Sequence, residues 1–516
     1  MRYKDKIARA MIASANSQLA QIVQQGMAQY GINYKISTDT ITRIGTSVGM
    51  VANANGGQNN FDSIMPWAGM KRCNLADDGK TVNNYYGDAN YKEDGSNGQV
   101  MVEVPAFYYS RVLIDSDDIN TYVSMMPLTG YKLHPWFYTK GGVVRTKAYF
   151  SAYEGSAFSV ATLASEVDTL TVTASCTTAG NIIIKLDQYN IFNVAVLTTD
   201  NTTALVATKI NAFVYTGWTT SIAGSVVTFT CNTTGLKTTA IIVPGTTGVT
   251  ASIVKTTTGA GGYVVNDAQS VNFTATTGDK LCSVAGMKPI SGLTQATHIV
   301  NCRQIANNRG IGWEQQHFNA SSAIQMLLIV EYGSLNSQGV IGQGVVNVAD
   351  DGITNMSVIT GATSSLGNKS GKATGTDGLV SISYRGVENF WGNIWKWVDG
   401  FNINNGVSYI SNVNGNFVSN IFTGQYVTTS FVNANTNGYV SSVGLNVNFD
   451  YGFIPVAVLG TSTSKYADYF YQNSSGSFVA LLGANWYDGA SAGAFCWDLI
   501  DGSGFYYRSV GARLCA

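Results

Sequence analysis

Few of the residue types that build catalytic or metal sites are spaced for that purpose in this 516-residue chain. The histidines show no metal-ligand spacing, and no GxSxG, P-loop or zinc-helix motif is present. The cysteines are odd in number and contain no CxxC pair, which argues against a zinc site and a disulfide framework. We therefore expect no metal, no cofactor and buried free thiols. The residues in question are His134, His298 and His317, with Cys73, Cys176, Cys231, Cys282, Cys302, Cys496 and Cys515.

Carboxylates are the other side chains that could bind a metal ion or support catalysis. The run Asp88–Asp94 resembles the start of a calcium loop, but Glu93 stands where an EF-hand needs its sixth-position glycine. We interpret these carboxylates as turn residues. A pair of catalytic carboxylates, as in glycosidases, stays an alternative. Charged residues are only 12% of the chain, however, and leave few candidates. We expect that the protein is not an enzyme.

The segment 484–509 is rich in tyrosine, tryptophan, asparagine, serine and aspartate, the residues that binding surfaces prefer. Aromatic side chains supply rigid anchors, and the short polar ones supply adaptable hydrogen bonds. We expect Trp486 and Phe495 to lie in the core, whereas Trp497 fits the core and the surface equally well. The candidate binding residues are Asn485, Tyr487, Asp488, Ser491, Trp497, Asp498, Ser503, Phe505, Tyr506 and Tyr507.

A tryptophan-rich stretch, Tyr384–Gly400, is the strongest candidate for the element that positions this segment. Ile394, Lys396 and Val398 alternate with Trp395 and Trp397, which predicts a strand packed on both faces. The preceding Gly392-Asn393 pair tolerates positive φ and predicts a turn. We expect this strand to lie in the core.

Three internal helices are predicted elsewhere, at Thr202–Val214, Thr294–Asn308 and Ser321–Tyr332, the last ending at Gly333. Between about Ser156 and Ala275 the sequence changes to alternating threonine and valine, which predicts a small β-rich module inserted into a loop. At the N-terminus, a heptad-like spacing of apolar residues predicts a helix within residues 1–31. That helix fits packing on its own core or, alternatively, self-association or docking to another protein.

Composition favours a β-rich surface protein, because apolar residues make up 45% of the chain and charged residues only 12%, about half their usual share. The net charge is −1, and no basic patch suggests a nucleic-acid partner. The N-terminal run is too polar for a signal peptide, and no segment is long enough to span a membrane.

Two motifs carry a family resemblance. Glu388–Gly400 resembles the GxxNxWGNxWxWVDG core of C-type-lectin-like proteins, a group that includes formylglycine-generating enzymes, phage tail adhesins and the variable proteins of diversity-generating retroelements. Gly483–Phe495 followed by Gly511–Cys515 is similar to the GGxWxxGxxAGxF and GxRLC ending of the adhesin branch. The resemblance implies a receptor-binding face between these glycines. Formylglycine-generating enzymes imply a close cysteine pair, but Cys496 and Cys515 are too widely separated. The sequence triplets of calcium-dependent lectins are absent too.

From this resemblance we expect an α+β fold: a C-type-lectin-like head with an inserted β-rich, immunoglobulin-like module and an N-terminal helix. The expected domains are the helix at 1–35, for virion attachment or oligomerisation, the first part of the head at 36–155, the module at 156–275 and the second part of the head at 276–516. The C-terminal receptor-binding segment belongs to that second part.

The implied function is non-catalytic recognition of a host cell surface receptor, protein or glycan, by a tail fibre or tail-tip adhesin of a phage. The expected partners are that receptor and other virion tail proteins, with the chain itself a homo-oligomer, taken as a trimer. We expect synthesis in the host cytoplasm and residence in the virion. The alternatives are a decoration or spike protein that binds no receptor and, third, a formylglycine-generating-like or glycan-active enzyme.

Overall fold

A computed structural model describes residues 27–139, 141–187, 190–263 and 270–516. Of the described residues, 37% lie in strands and 11% in helices of all kinds. The expected α+β fold is therefore wrong, since β-sheet is the main regular structure of the described part and helices are a minor one. The physical reason is compositional: long stretches alternate valine, threonine, asparagine and tyrosine, and runs of strong helix formers are few. Four α-helices occur in the described part: α1 (Thr203–Ala212), α2 (Ile299–Asn307), α3 (Phe318–Tyr332) and α4 (Ser337–Val340).

The predicted N-terminal helix falls largely on residues 1–26, outside the described residues. Its predicted end does not continue as a helix, because Tyr30–Lys35 is a strand. That strand pairs antiparallel with Thr40–Gly45 and Asp118–Ser124. Residues 30–35 thus belong to this sheet and not to a separate helical segment.

The chain divides into two compact units, and each has its own sheets. Unit 2 is Ser156–Cys282, and unit 1 comprises the residues before it and Ser283–Ala516. The insert that the sequence predicted, 156–275, begins at the first residue of unit 2 and ends before the last one.

Unit 2 contains two sheets and one helix. The strands of the larger sheet, in spatial order, are Trp218–Ala223, Val226–Thr234, Ser156–Ala174 and Thr250–Thr257, with Ala260–Tyr263 and Lys280–Cys282 also on the long strand; the smaller sheet is Ile191–Val196, Gly180–Lys185 and Ile241–Val243. Helix α1 contributes Val206, Ala207 and Ile210 to the hydrophobic core of this unit. A helix inside the core is not part of an immunoglobulin-like sandwich, so that expectation needs correction.

Unit 1 is built from several sheets around one large hydrophobic core. Its eight-stranded sheet is ordered Tyr426–Val432, Val407–Ser411, Trp395–Asn404, Ser477–Leu482, Trp497–Leu499, Tyr469–Gln472 and Gly438–Tyr439, with Val510–Gly511 parallel to the third strand. A six-stranded sheet is ordered Glu314–Gln315, Leu514–Cys515, Lys147–Ser151, Gln99–Pro105, Lys71–Leu75 and Val82–Tyr85. The five-stranded sheet is Thr40–Gly45, Tyr30–Lys35, Asp118–Ser124, Tyr108–Leu113 and Lys132–Leu133.

Shorter elements complete this unit. The remaining strands are Gly371–Lys372, Ile382–Tyr384, Val387–Glu388, Ser442–Val443 and Pro455–Ala457, and the 3-10 turns are Asn60–Ser63, Trp67–Gly69, Pro135–Phe137, Ser364–Leu366 and Gly489–Ser491. Helix α3 is buried along its whole length and ends at Gly333, whose φ of 59° allows the left-handed cap that the sequence predicted. Within the described residues, no helix is long and apolar enough to cross a membrane.

The predicted central strand is present as Trp395–Asn404, and nine of its ten residues are buried. The turn before it holds Asn389 and Asn393 at positive φ, 48° and 64°. Both asparagine amides donate to Oε2 of Glu154, at 3.2 Å from Asn389 and more closely from Asn393. The polar residues of this motif are therefore used inside the core of unit 1.

Candidate functional site

The structure places the ten predicted binding residues at very different depths. Tyr487, Tyr506 and Tyr507 are exposed by 39%, 47% and 43%. Asp488, Ser491, Ser503 and Phe505 are half-buried, and Asn485, Trp497 and Asp498 are buried. We name the three exposed tyrosines the tyrosine face.

The buried members of the set have structural partners. The Trp497 indole donates to the Phe453 carbonyl oxygen at 2.9 Å and packs beside Phe318 and Phe401. Asn485 Oδ1 accepts a hydrogen bond from its own turn, at Tyr487 N. Asp498 Oδ1 likewise accepts from Ile500 N at 3.0 Å. These side chains stabilise the strands and turns beneath the surface.

Arg508, which was not among the predicted residues, links the two parts of the tyrosine face. Its guanidinium carbon lies 6.0 Å from the ring centre of Tyr487 and 5.5 Å from that of Tyr507. It also lies 5.5 Å from the ring of the buried Trp486. Cation–π attraction at such distances favours fixed ring positions. Arg508 itself is almost fully buried, so it acts as a support for the exposed rings.

Asp350 fixes Arg508 in turn. Arg508 Nη1 donates to Asp350 Oδ1 at 2.8 Å, and Nη2 donates to Oδ2 at 2.5 Å. The Trp486 indole donates to the same Oδ1 at 3.1 Å, and Arg508 Nη1 reaches the Thr354 carbonyl oxygen at 2.7 Å. The pKa of Asp350 is lowered, and the hydrogen bonds from Arg508 are the largest cause of this shift. The paired geometry is the strong, directional kind of ion pair.

The backbone under the second half of the tyrosine face is held by close contacts. The Gly292 amide donates to the Tyr507 carbonyl oxygen at 2.9 Å, and a Cβ on Gly292 would lie only 2.5 Å from Tyr507 N. The Phe505 ring stacks on that of Tyr507, with centres 6.4 Å apart and planes 21° apart. The two adjacent tyrosines therefore project from a segment with little freedom to move.

Carboxyl groups near the face have shifted pKa values because they are buried. Burial raises the pKa of Asp488 to about 6, although the hydrogen bond that Asp488 accepts from Asn485 N acts to lower it. Burial likewise raises the pKa of Asp501 to about 6. The pKa of Asp498 is raised as well, by burial first and by the charge of Asp501 second. Negative charge below the face is therefore reduced near and below pH 6.

Other groups that could carry chemistry are dispersed. In the part of the chain that the structure describes, no three His, Cys, Asp or Glu side chains come together as metal ligands would. All seven cysteines are buried as free thiols. Burial lowers the pKa of both His134 and His317 to about 3, so both imidazoles are neutral at physiological pH.

Arg508 could have been suspected from sequence only as a cation next to two tyrosines. Its partner Asp350 lies far away in the chain and belongs to a turn in which Ile353 N and Thr354 N both donate to Asp351 Oδ1 at 2.8 Å. No local pattern links the two segments. No protein-family model and no curated protein matches this chain.

Proposed function

We propose that this chain is a phage virion surface protein that recognises a host cell surface receptor, protein or glycan, through the tyrosine face and without catalysis. The single observation that carries the proposal is the placement of the exposed Tyr487 and Tyr507 rings against the buried, ion-paired Arg508, with the exposed Tyr506 next to Tyr507 in the chain. Exposed aromatic anchors on a rigid frame bind with little loss of conformational entropy. The phage context rests on the motif resemblance and on the low charge content.

The partners of this proposal are the receptor and other tail proteins. The chain itself forms a homo-oligomer, taken as a trimer, in the virion. Light scattering on the purified full chain tests the oligomer directly. A monomer across the micromolar range would contradict that part of the proposal and leave receptor binding at the tyrosine face to be judged by its own experiment.

The receptor proposal is tested by a paired measurement of cell binding and thermal stability. The variants are Tyr487→Ala, Tyr506→Ala and Tyr507→Ala, and the control is Tyr86→Ala, a tyrosine of similar exposure, 38%, outside the face. We expect at least one face variant to lose about thirtyfold in affinity for host cells, as a hot spot of about 2 kcal/mol requires. Melting temperatures should stay close to that of the wild type.

Two outcomes would overturn the proposal. Wild-type-like binding by all three face variants would place recognition elsewhere on the protein. Failure of the wild-type protein to bind any bacterial surface in a broad strain panel would favour the decoration or spike protein instead.

A further inference from the structure

Lys396 is the only buried lysine among the described residues, and it lies in the central strand Trp395–Asn404. Its ammonium is 3.2 Å from Oε1 of Glu154, and neither side chain is more than 1% exposed. The lysine folds back over the preceding turn, because Nζ also donates to the Gly392 carbonyl oxygen at 2.6 Å. This contact places the amine beside the residue that follows Gly392, which is Asn393.

Asn393 contacts the other oxygen of the same carboxylate. Its Nδ2 donates to Oε2 of Glu154, and its side chain is fully buried. Its Oδ1 accepts a hydrogen bond from Val358 N at 2.7 Å. One carboxylate thus holds an amine at one oxygen and a carboxamide at the other, and a backbone N–H polarises the carbonyl group of that carboxamide.

An amine, a carboxamide and a carboxylate that are shielded from water together suit the formation of an amide bond between two side chains. The attacking amine must be neutral, and burial lowers the pKa of Lys396 to about 8, although the charge of Glu154 acts to raise it. The neutral amine is therefore populated near neutral pH. Because the fold holds both reacting groups on one carboxylate, they do not have to meet by diffusion, which lowers the barrier.

We propose that Lys396 and Asn393 form an isopeptide bond in the folded protein, with Glu154 as the group that transfers the protons. The bond forms from the ion-paired side chains that the structure shows. It is a single intramolecular reaction and not the turnover of a substrate. It goes beyond receptor recognition and does not depend on the tyrosine face.

The reaction begins when Glu154 takes a proton from the Lys396 ammonium at Oε1, which apart from this ion pair has no hydrogen-bond partner among the described residues. The free amine then attacks Cγ of Asn393, and the Val358 N–H stabilises the negative charge that develops on Oδ1. Glu154 donates a proton to Nδ2 and takes one from Nζ. The Cγ–Nδ2 bond breaks, ammonia leaves, and Glu154 remains protonated. No oxidant or cofactor is consumed.

The product no longer contains a buried ion pair. Before the reaction, the core holds a positive ammonium and a negative carboxylate, and the removal of each from water is costly. After the reaction, a neutral amide and a neutral carboxylic acid remain, which favours the linked state. The amide N–H of the product stays next to Glu154, so Lys396 supports this side chain both before and after the bond forms.

Asn389 is the competing carboxamide, since its Nδ2 also donates to Oε2 of Glu154, at 3.2 Å. Its Oδ1 is polarised less strongly, because Ile382 N donates to it at 3.3 Å. The corresponding distance at Asn393 is 2.7 Å, and Asn393 is also the residue next to the carbonyl group that Lys396 contacts. Both observations assign the bond to Asn393.

Mass spectrometry of the purified full chain tests the bond. We expect an intact mass that is lower than the sequence mass by one ammonia. Trypsin cuts after free lysine side chains, so it should not cut the linked protein after Lys396. The peptide that spans this position should run from Gly386 to Lys465 and be lighter by one ammonia. Fragmentation of this peptide should place the link between Asn393 and Lys396.

Two variants and two controls assign the roles. Glu154→Gln keeps the shape of the side chain but takes up no proton, so this variant should have the full sequence mass and be cut after Lys396. Lys396→Arg should also have the full sequence mass, because its side chain lacks the amine. The controls are Lys369→Arg, which changes an exposed lysine, and Tyr507→Ala in the tyrosine face. Both should lose one ammonia as the wild type does.

A wild-type protein of full sequence mass that trypsin cuts after Lys396 would overturn the proposal, and this measurement does not require any variant to fold. Loss of ammonia with normal cleavage after Lys396 would indicate a cyclised asparagine elsewhere and would overturn it too. A link from Lys396 to Asn389 would contradict the assignment to Asn393. A link that still forms in Glu154→Gln would contradict the role of the carboxylate.

Discussion

Arg508 donates to both carboxylate oxygens of Asp350, through Nη1 at 2.8 Å and Nη2 at 2.5 Å. This pair joins the turn at 350–354 to the C-terminal segment and supports Tyr487 and Tyr507 from below. The side chains of Arg508 and Asp350 are only 6% and 26% exposed, so the pair is not a weak surface contact.

A double-mutant cycle on this pair should show a favourable coupling energy of about 1–3 kcal/mol in urea unfolding, because partly buried bidentate pairs interact strongly. The variants are Asp350→Ala, Arg508→Ala and both together. Arg508→Lys should recover little of the coupling, since an ammonium lacks the planar fork. Additive single effects would contradict this expectation.

Lys396 and Glu154 form a buried ion pair with 3.2 Å between Nζ and Oε1, and both side chains are almost fully buried. Lys396→Met should cost about 3–5 kcal/mol of unfolding free energy, because it leaves the Glu154 carboxylate without its cation. The double variant Lys396→Met/Glu154→Gln should lose less than this single variant does. Urea unfolding measures both, and Lys369→Met serves as the control. A loss below about 1 kcal/mol in the single variant would be incompatible with a charged, buried pair.

Asp468 predicts a specific dependence of stability on pH. Its Oδ2 accepts from Phe495 N at 2.6 Å, Oδ1 has no partner in the described part, and burial raises its pKa to about 8. The folded protein therefore keeps a proton that the unfolded chain releases near pH 4. The stabilising contribution is fully present below about pH 4 and is lost as the pH rises toward 8.

Asp468→Asn should remove this dependence, because the amide is neutral at every pH and retains an acceptor for Phe495 N. The stability of the variant relative to the wild type should rise by at least about 1 kcal/mol between about pH 5 and pH 8. Urea unfolding at several pH values measures it, with the exposed carboxyl variant Asp115→Asn as the control. Parallel pH profiles for Asp468→Asn and the wild type would show that Asp468 does not titrate in this way.

Replacement of Ser156–Cys282 by a short Gly/Ser linker should leave unit 1 folded with a cooperative thermal transition, since loop length affects closure only weakly. The isolated segment should also fold, because it has its own hydrophobic core. Calorimetry on both proteins decides the matter. A shortened chain without cooperative melting would mean that the two units do not fold independently.

The sequence predicted those elements whose signals are local. The alternation of Ile394–Val398 identified the central strand, and Gly333 marked the end of α3, because each depends on neighbouring residues alone. Helix α1 was predicted at Thr202–Val214 and lies at Thr203–Ala212 for the same reason. The overall class was wrong because it was inferred from the motif resemblance instead of from the strand-forming composition.

The candidate site was harder to predict because polar residues serve turns as well as binding. Asn485 and Asp498 have side chains that suit a binding surface, yet each accepts a hydrogen bond from a backbone amide two residues ahead. Trp497 fits either environment until its neighbours are known, and these come from distant strands. Asp350 and Arg508 lie far apart in the chain and meet only in the folded protein, so no short stretch of sequence contains both.

The two ends of unit 2 are adjacent, because Ser156 pairs with Cys282 and Ala157 with Leu281 in neighbouring strands. A segment that leaves and returns at one place can be exchanged for another of different length without moving the points at which it joins the rest of the chain. In genetic terms, the coding region for Ser156–Cys282 can be exchanged as one block. Recombination at its two borders could replace this unit and leave the sheets that support the tyrosine face encoded as before.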